Sequence, residues 1–224
     1  MKISDSLKKK QLGIPICLTF LGVVSFLVMV RWYQSNGVFG LDQAFMNWMA
    51  VVRRDWLTWV ARAITSFGSV TFIVAADLLI TAVGIWKKHN GRDLLLLNLN
   101  NISGVTLMQA LKTVFGRERP PLPWLGTADG FSFPSGHSLM TALFYGFLLY
   151  LGFRNGRVWR GRKWLIGALG CLPVLVGLSR VYLGVHYASD VLAGWAAGLA
   201  WAGVWMVVRE CGMKEPGARN RESA

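Results

Sequence analysis

Six stretches of this chain are apolar over near-spanning length: residues 12–30, 70–86, 94–111, 137–153, 164–183 and 187–208. A helix needs about 20 residues to cross the hydrocarbon core of a bilayer, with a working range of about 17–25. The pattern therefore predicts six transmembrane helices. The second carries Asp77, and the third carries Asn98, Asn100, Asn101 and Gln109, so these two are the most polar of the set. The first exceeds the roughly 7–15 apolar residues of a signal-peptide core, and RWYQSN follows it where a small-x-small cleavage site would stand. It reads as a retained anchor.

Between the first two spans lies a segment of a different kind, 41–66. Its Phe45, Trp48, Met49, Val52, Trp56, Trp59 and Val60 recur at intervals of three and four, while Asn47, Arg54, Asp55, Thr58 and Arg62 fall largely elsewhere on the turn. This predicts an amphipathic helix lying in the outer interface or packed over the spans. The expected fold is all-α: one polytopic membrane domain over 1–224, with a disordered tail from about 212 to 224.

Composition agrees with the pattern. Of 224 residues, 54% are hydrophobic and only 16% charged, against roughly 25% charged in soluble proteins. The net charge of +13 raises the question of a nucleic-acid partner, but the placement of the charges answers it. Four lysines precede span one, three cations follow span two, five separate spans four and five, and four follow span six. These alternate segments hold 16 of the 24 Lys and Arg on one side of the membrane. The positive-inside rule makes that side cytoplasmic, with both termini inside a plasma membrane. The basicity is a topology signal with a contact to anionic lipid, and no nucleic-acid partner is expected.

Several residues take structural readings. Cys17, Cys171 and Cys211 lack metal-site spacing and read as buried small apolar groups. Trp32, Trp86, Trp159, Trp164 and Trp205 lie near span ends, as an aromatic belt would. Asp77 and the asparagines of span three are expected to hydrogen-bond between helices.

Three polar clusters remain. KTVFGRERP carries Lys112 and Arg119 at the end of span three; FPSGHS carries Ser135, Gly136 and His137 at the start of span four. SRVYLGVHYASD carries Arg180, His186 and Asp190 across the corner between spans five and six. The parity of the spans puts all three clusters on one face, the extracytoplasmic one. In a continuous helix, residues six apart point roughly 240° around the axis, so Arg180 and His186 need a break to converge, and Gly184 offers it. Lys112, Arg119 and Arg180 are cations suited to phosphate oxygens. Ser135 and Gly136 add backbone N–H groups at a helix start, where an anion is favoured. His186 and Asp190, four apart, share a helix face, so the carboxylate can fix the imidazole tautomer and leave one nitrogen free to attack phosphorus. His137 can protonate the leaving oxygen and later activate water. Two histidines and a carboxylate also resemble a metal-binding triad, but three adjacent cations would repel a divalent ion, so neither metal nor cofactor is expected. His89 falls on the cytoplasmic side and reads as solvated.

The three stretches resemble the signature of the type-2 phosphatidic acid phosphatase superfamily, which also contains vanadium haloperoxidases and bacterial acid phosphatases. K-x6-R-P, P-S-G-H and S-R-x5-H-x3-D are matched without substitution within 112–190. The resemblance implies His186 as nucleophile, Asp190 as its orienting partner and His137 as general acid. It implies phosphate binding by Lys112, Arg119, Ser135, Gly136 and Arg180, without a metal, and a backbone-shaping role for Pro120, Pro134 and Ser179. The implied activity is hydrolysis of a lipid phosphate: undecaprenyl diphosphate, slightly favoured by an outward-facing site, phosphatidylglycerophosphate or phosphatidic acid. The alternatives are transfer of the phosphoryl group to a lipid acceptor, a vanadate-dependent oxidation, and a phospholipid binder or transporter without chemistry. PPLPWLGTADG, 120–130, lies beside the cradle and is the candidate headgroup selector.

Overall fold

The computed structural model describes residues 2–36, 40–121, 123–155 and 162–212, without the side chains of 2–10 and 36. Those residues form eight helices and no strand: α1 (Lys2–Asn36), α2 (Gly40–Val51), α3 (Asp55–Ser66), α4 (Val70–Trp86), α5 (Gly91–Phe115), α6 (Gly136–Arg154), α7 (Lys163–Tyr182) and α8 (Ala188–Cys211). Five are long and apolar enough to cross a membrane: α5, α6, α7, α8 and residues 11–35 of α1. The α3–α4 pair, bent by 49° at a short break, makes a sixth candidate as a broken span.

One amphipathic helix over 41–66 was the expectation; the segment is two helices. The backbone at Arg54 is extended (φ −145°, ψ 148°). Its N–H donates to Tyr182 Oη at 3.1 Å, and the same hydroxyl donates to its carbonyl at 3.2 Å. Thr58 Oγ1 stands 3.1 Å from that hydroxyl. A tyrosine 128 residues away thus replaces the intrahelical partners lost at the break, which helical periodicity cannot reveal.

α8 is the centre of the bundle, and its small residues explain why. A Cβ on Gly198 would come within 2.4 Å of Leu139 O on α6, and one on Gly194 within 2.6 Å of Ser135 O. On the α1 side, a Cβ on Gly22 would lie 2.7 Å from Ala196 O and Ala200 N, and one on Gly203 would lie 2.4 Å from Thr19 Oγ1. Small residues let helix backbones approach closely where lipid supplies no hydrophobic drive. The apolar core, with Leu97, Leu139, Leu143, Phe144 and Phe147 buried, fills the space among α5, α6 and α8. The α6–α8 contact also matters locally, because the Ser135 N–H donates to the Asp190 carbonyl at 2.9 Å. It ties the start of one helix to the start of the other.

The corner expected at Gly184 is present: α7 stops at Tyr182, Gly184 has φ +76°, and α8 begins at Ala188. Asn98 hydrogen-bonds Thr81 of α4 at 2.8 Å, and buried Asp77 faces Asn101 of α5. The cysteines correct an expectation: Cys17, Cys171 and Cys211 are exposed on helix surfaces. A spanning helix turns its outer face to lipid, so a small apolar side chain is as well placed there as inside. Trp32, Trp86 and Trp164 are exposed, whereas Trp205 turns inward and donates to Ser103 at 3.1 Å. Trp159, the basic residues at 157 and 160, and the tail beyond 212 lie outside the described residues.

Candidate active site

α5 delivers Lys112 in its last turn, where Gly116 (φ +57°) ends the helix and redirects the chain into the loop that holds Arg119. α6 begins at Gly136, placing His137 at its first turn. The Gly184 corner swings His186 back beside Arg180. Together Lys112, Arg119, Gly136, His137, Arg180 and His186 line one cavity of about 780 Å³. The opposing wall is the α3–α4 corner, including Thr65, Ser66 and Ser69. Gly136 has no room for a side chain, since a Cβ would meet Met108 Sδ at 2.5 Å. Ser135 is buried just behind the α6 start, its hydroxyl accepting from Ser138 at 3.0 Å, and does not reach the cavity wall.

The three cations are held by neutral oxygens. Lys112 Nζ donates to the Phe131 carbonyl. Arg119 donates to the carbonyls of Asp129 (2.7 Å), Gly130 (2.9 Å) and Val185 (2.7 Å). Arg180 donates to Thr65 Oγ1 (3.2 Å) and the Thr127 carbonyl (3.3 Å), and its buried Nε lacks a partner among the described residues. Carbonyls orient these groups without cancelling their charge, so the cavity carries a positive potential suited to an anion.

His186 is 1% exposed. Its Nδ1 lies 3.4 Å from Asp190 Oδ2 and 3.3 Å from Ser132 Oγ, while Nε2 lies 3.2 Å from Arg119 Nη1 on the cavity side. Asp190 accepts from the Tyr187 N–H at 2.9 Å and from the Ser132 hydroxyl, so both are donors and His186 must present Nδ1–H to this pair. The accepting electron pair then sits on Nε2, on the cavity side, where Arg119 Nη1–H donates to it at 3.2 Å. Burial pushes the His186 imidazole down to about 3; Asp190 opposes through hydrogen bond and charge, and Arg180 and Arg119 reinforce the depression. The ring is therefore neutral at neutral pH, as a nitrogen nucleophile must be. His137 stands in the same wall on α6, within electrostatic range of His186 and all three cations.

The model of the PAP2 superfamily matches residues 93–211. The chain belongs to that superfamily. Phosphatidylglycerophosphatase B of Bacillus subtilis is 34% identical over 175 residues, covering 78% of this chain and 86% of the relative. A crystal structure of a transmembrane PAP2 type phosphatidylglycerolphosphate phosphatase from Bacillus subtilis superposes with a TM-score of 0.80 at 30% identity. That superposition covers 89% of this chain and 98% of the other. An undecaprenyl-diphosphatase of Sulfolobus acidocaldarius is 40% identical over 68 residues, 30% of this chain and 29% of its own.

Around this PAP2 site stand residues that sequence reasoning passed over. Arg117, 4% exposed, donates to Asp190 Oδ1 at 2.6 Å, to Ser189 Oγ at 2.8 Å and to Asp42 Oδ2 at 3.0 Å. Its guanidinium stacks between the rings of Tyr33 (4.9 Å) and Tyr187 (4.3 Å). Ser132 bridges His186 and Asp190. Arg117 sits inside the first motif, two residues before Arg119, so its type was visible although its partner was not. Nothing in the sequence joins Asp42 to it, 75 positions away.

Proposed function

We propose that this PAP2-superfamily lipid phosphatase removes the terminal phosphate of phosphatidylglycerophosphate through a phosphohistidine on His186, at the extracytoplasmic face. The observation that carries the reading is His186, its Nε2 beside Arg119 on a cavity lined also by Lys112 and Arg180, with the buried Asp190 carboxylate behind Nδ1. Lys112, Arg119 and Arg180 bind the phosphoryl oxygens, aided by the N–H groups at the α6 start beside Ser135 and Gly136. Nε2 forms a bond to phosphorus while the bond to the lipid oxygen breaks, and His137 gives that oxygen its proton. Asp190 stabilises the charge that develops on the ring. In the second step water attacks phosphorus, His137 takes its proton, the N–P bond breaks and inorganic phosphate leaves. No step calls for a metal.

Phosphatidylglycerophosphate is ranked first because the Bacillus subtilis matches that carry this specificity in their names extend over most of both chains. Undecaprenyl diphosphate is second, supported by a match over 30% of this chain. The excess of basic residues on segments away from the site supports an outward-facing cavity with both termini inside. The test is phosphate release by purified protein from these two lipids and phosphatidic acid, with EDTA and with an added lipid alcohol in parallel. Phosphate should appear fastest from phosphatidylglycerophosphate and be indifferent to EDTA. No release from any lipid would overturn the reading, and a phosphorylated alcohol in place of free phosphate would replace hydrolysis by transfer.

A further inference from the structure

We infer that Asp42, on the outer helix α2 and outside the family match of 93–211, is a positioning residue for His186 that acts through Arg117 and Asp190. The inference rests on the phosphohistidine reading above. Four buried side chains make a continuous chain. Asp42 Oδ2 accepts from Arg117 Nη2 at 3.0 Å, Arg117 Nη1 donates to Asp190 Oδ1 at 2.6 Å, and Asp190 Oδ2 lies 3.4 Å from His186 Nδ1. Asp42 is 2% exposed and Asp190 0%. Asp42 also accepts from the Ser189 N–H at 2.9 Å and from its hydroxyl at 2.6 Å, so it holds the first turn of α8 next to Asp190.

The electrostatics give this chain a purpose. Asp190 must keep enough negative charge on Oδ2 to fix the His186 tautomer and to stabilise the cationic ring formed during phosphoryl transfer. A lone guanidinium against Oδ1 would draw that charge the other way in a medium of low dielectric. With Asp42 on its second nitrogen, Arg117 is shared between two carboxylates, and its pull on Asp190 is balanced. The planar fork of arginine suits this bridging role, which a lysine ammonium cannot fill. Asp42 therefore touches neither phosphate nor the cavity lining, yet sets how Asp190 treats the nucleophile. This gives α2 a function beyond covering the bundle.

Asp42→Asn keeps one acceptor for the Ser189 N–H, removes the charge and sets an amide NH2, a donor, where Oδ2 accepts from Arg117. The expected result is a fall in kcat of about 10- to 100-fold, by analogy with the loss of hydrogen-bonding partners behind metal-ligating histidines. KM and the inhibition constant for inorganic phosphate, a ground-state anion, should stay within about twofold, because Lys112, Arg119 and Arg180 are untouched. If that variant does not fold, Arg117→Lys keeps a cation at Asp190 but cannot span both carboxylates, and the same split is expected. A kcat per folded molecule equal to wild type, or a parallel loss of phosphate affinity, would overturn the inference. Wild-type protein runs alongside. If it releases no phosphate, the hydrolase reading falls and this inference with it; if it turns over and Asp42→Asn matches it, the inference alone falls.

Discussion

At the end of the bundle away from the cavity, Arg209 grips Asp93 through two nitrogens, at 2.8 and 3.1 Å, and reaches Glu210 at 3.3 Å. Arg154 donates to the same Glu210 at 3.0 Å, and Tyr150 donates to it as well. Two arginines meet two carboxylates there, and the charge closes on itself. At the cavity end, Lys112, Arg119 and Arg180 bond to backbone carbonyls and a hydroxyl instead. Both ends hold cations, but at the cavity end none of the three is ion-paired to a carboxylate among the described residues; Asp190 and Asp129 act on Arg119 only from farther off. Arg180, 3% exposed, is a buried positive charge with no ion pair among the described residues and is costly to keep, which suits a cavity that receives an anion. The self-neutralised cluster needs no ligand and ties α5, α6 and α8 together.

Three changes test how far that distinction reaches. The largest effect is expected from His186→Ala, which removes the proposed nucleophile. Lipid phosphate release should fall by about 10⁴-fold or more, with an unchanged size-exclusion profile. Near-normal release would mean that the cavity binds anions without His186 doing chemistry on them. Next comes Arg209→Met at the closed end. It leaves Asp93 and Glu210 buried without their shared partner and should lower stability by about 3–5 kcal/mol, read as denaturation in detergent. Turnover per folded molecule should stay within about twofold, as for distant independent sites; a large loss of kcat would make that cluster part of the machinery. Smallest is Arg180→Met at the open end. Vanadate inhibition should weaken by the loss of a charged hydrogen bond, about 1.5–3 kcal/mol, with little change in melting temperature. Unaltered vanadate binding would move Arg180 to the structural side of the comparison.

Much of the cavity was legible because its residues sit in short motifs whose helices begin and end on one face. Lys112, Arg119, His137, Arg180 and His186 were assigned to a common site from the parity of the spans, and the structure lines one cavity with all five. Ser135, expected in the phosphate cradle, is buried just before α6, with its N–H on the Asp190 carbonyl and its hydroxyl accepting from Ser138. The Gly184 corner was legible too, since Arg180 and His186 cannot converge on a straight helix. The two-helix form of 41–66 was not, because the break depends on Tyr182 rather than on local residues. Asp42 escaped for the same reason: an acid at the start of an amphipathic segment looks like a helix-start charge until α8 is seen beside it.

The sequence by itself determined the membrane class, the helical stretches, the face on which the chemistry collects and the identity of its groups. Apolar length, charge placement and contiguous motifs are local properties, so they survive without coordinates. Only the tertiary structure decided which carboxylate balances which cation. Pairing at 2.6–3.0 Å between Asp42, Arg117 and Asp190 depends on how α2 lies against α8. Charge neutralisation is a property of distance rather than of order along the chain, so cations facing the cavity and cations serving the fold separate only once the helices are packed.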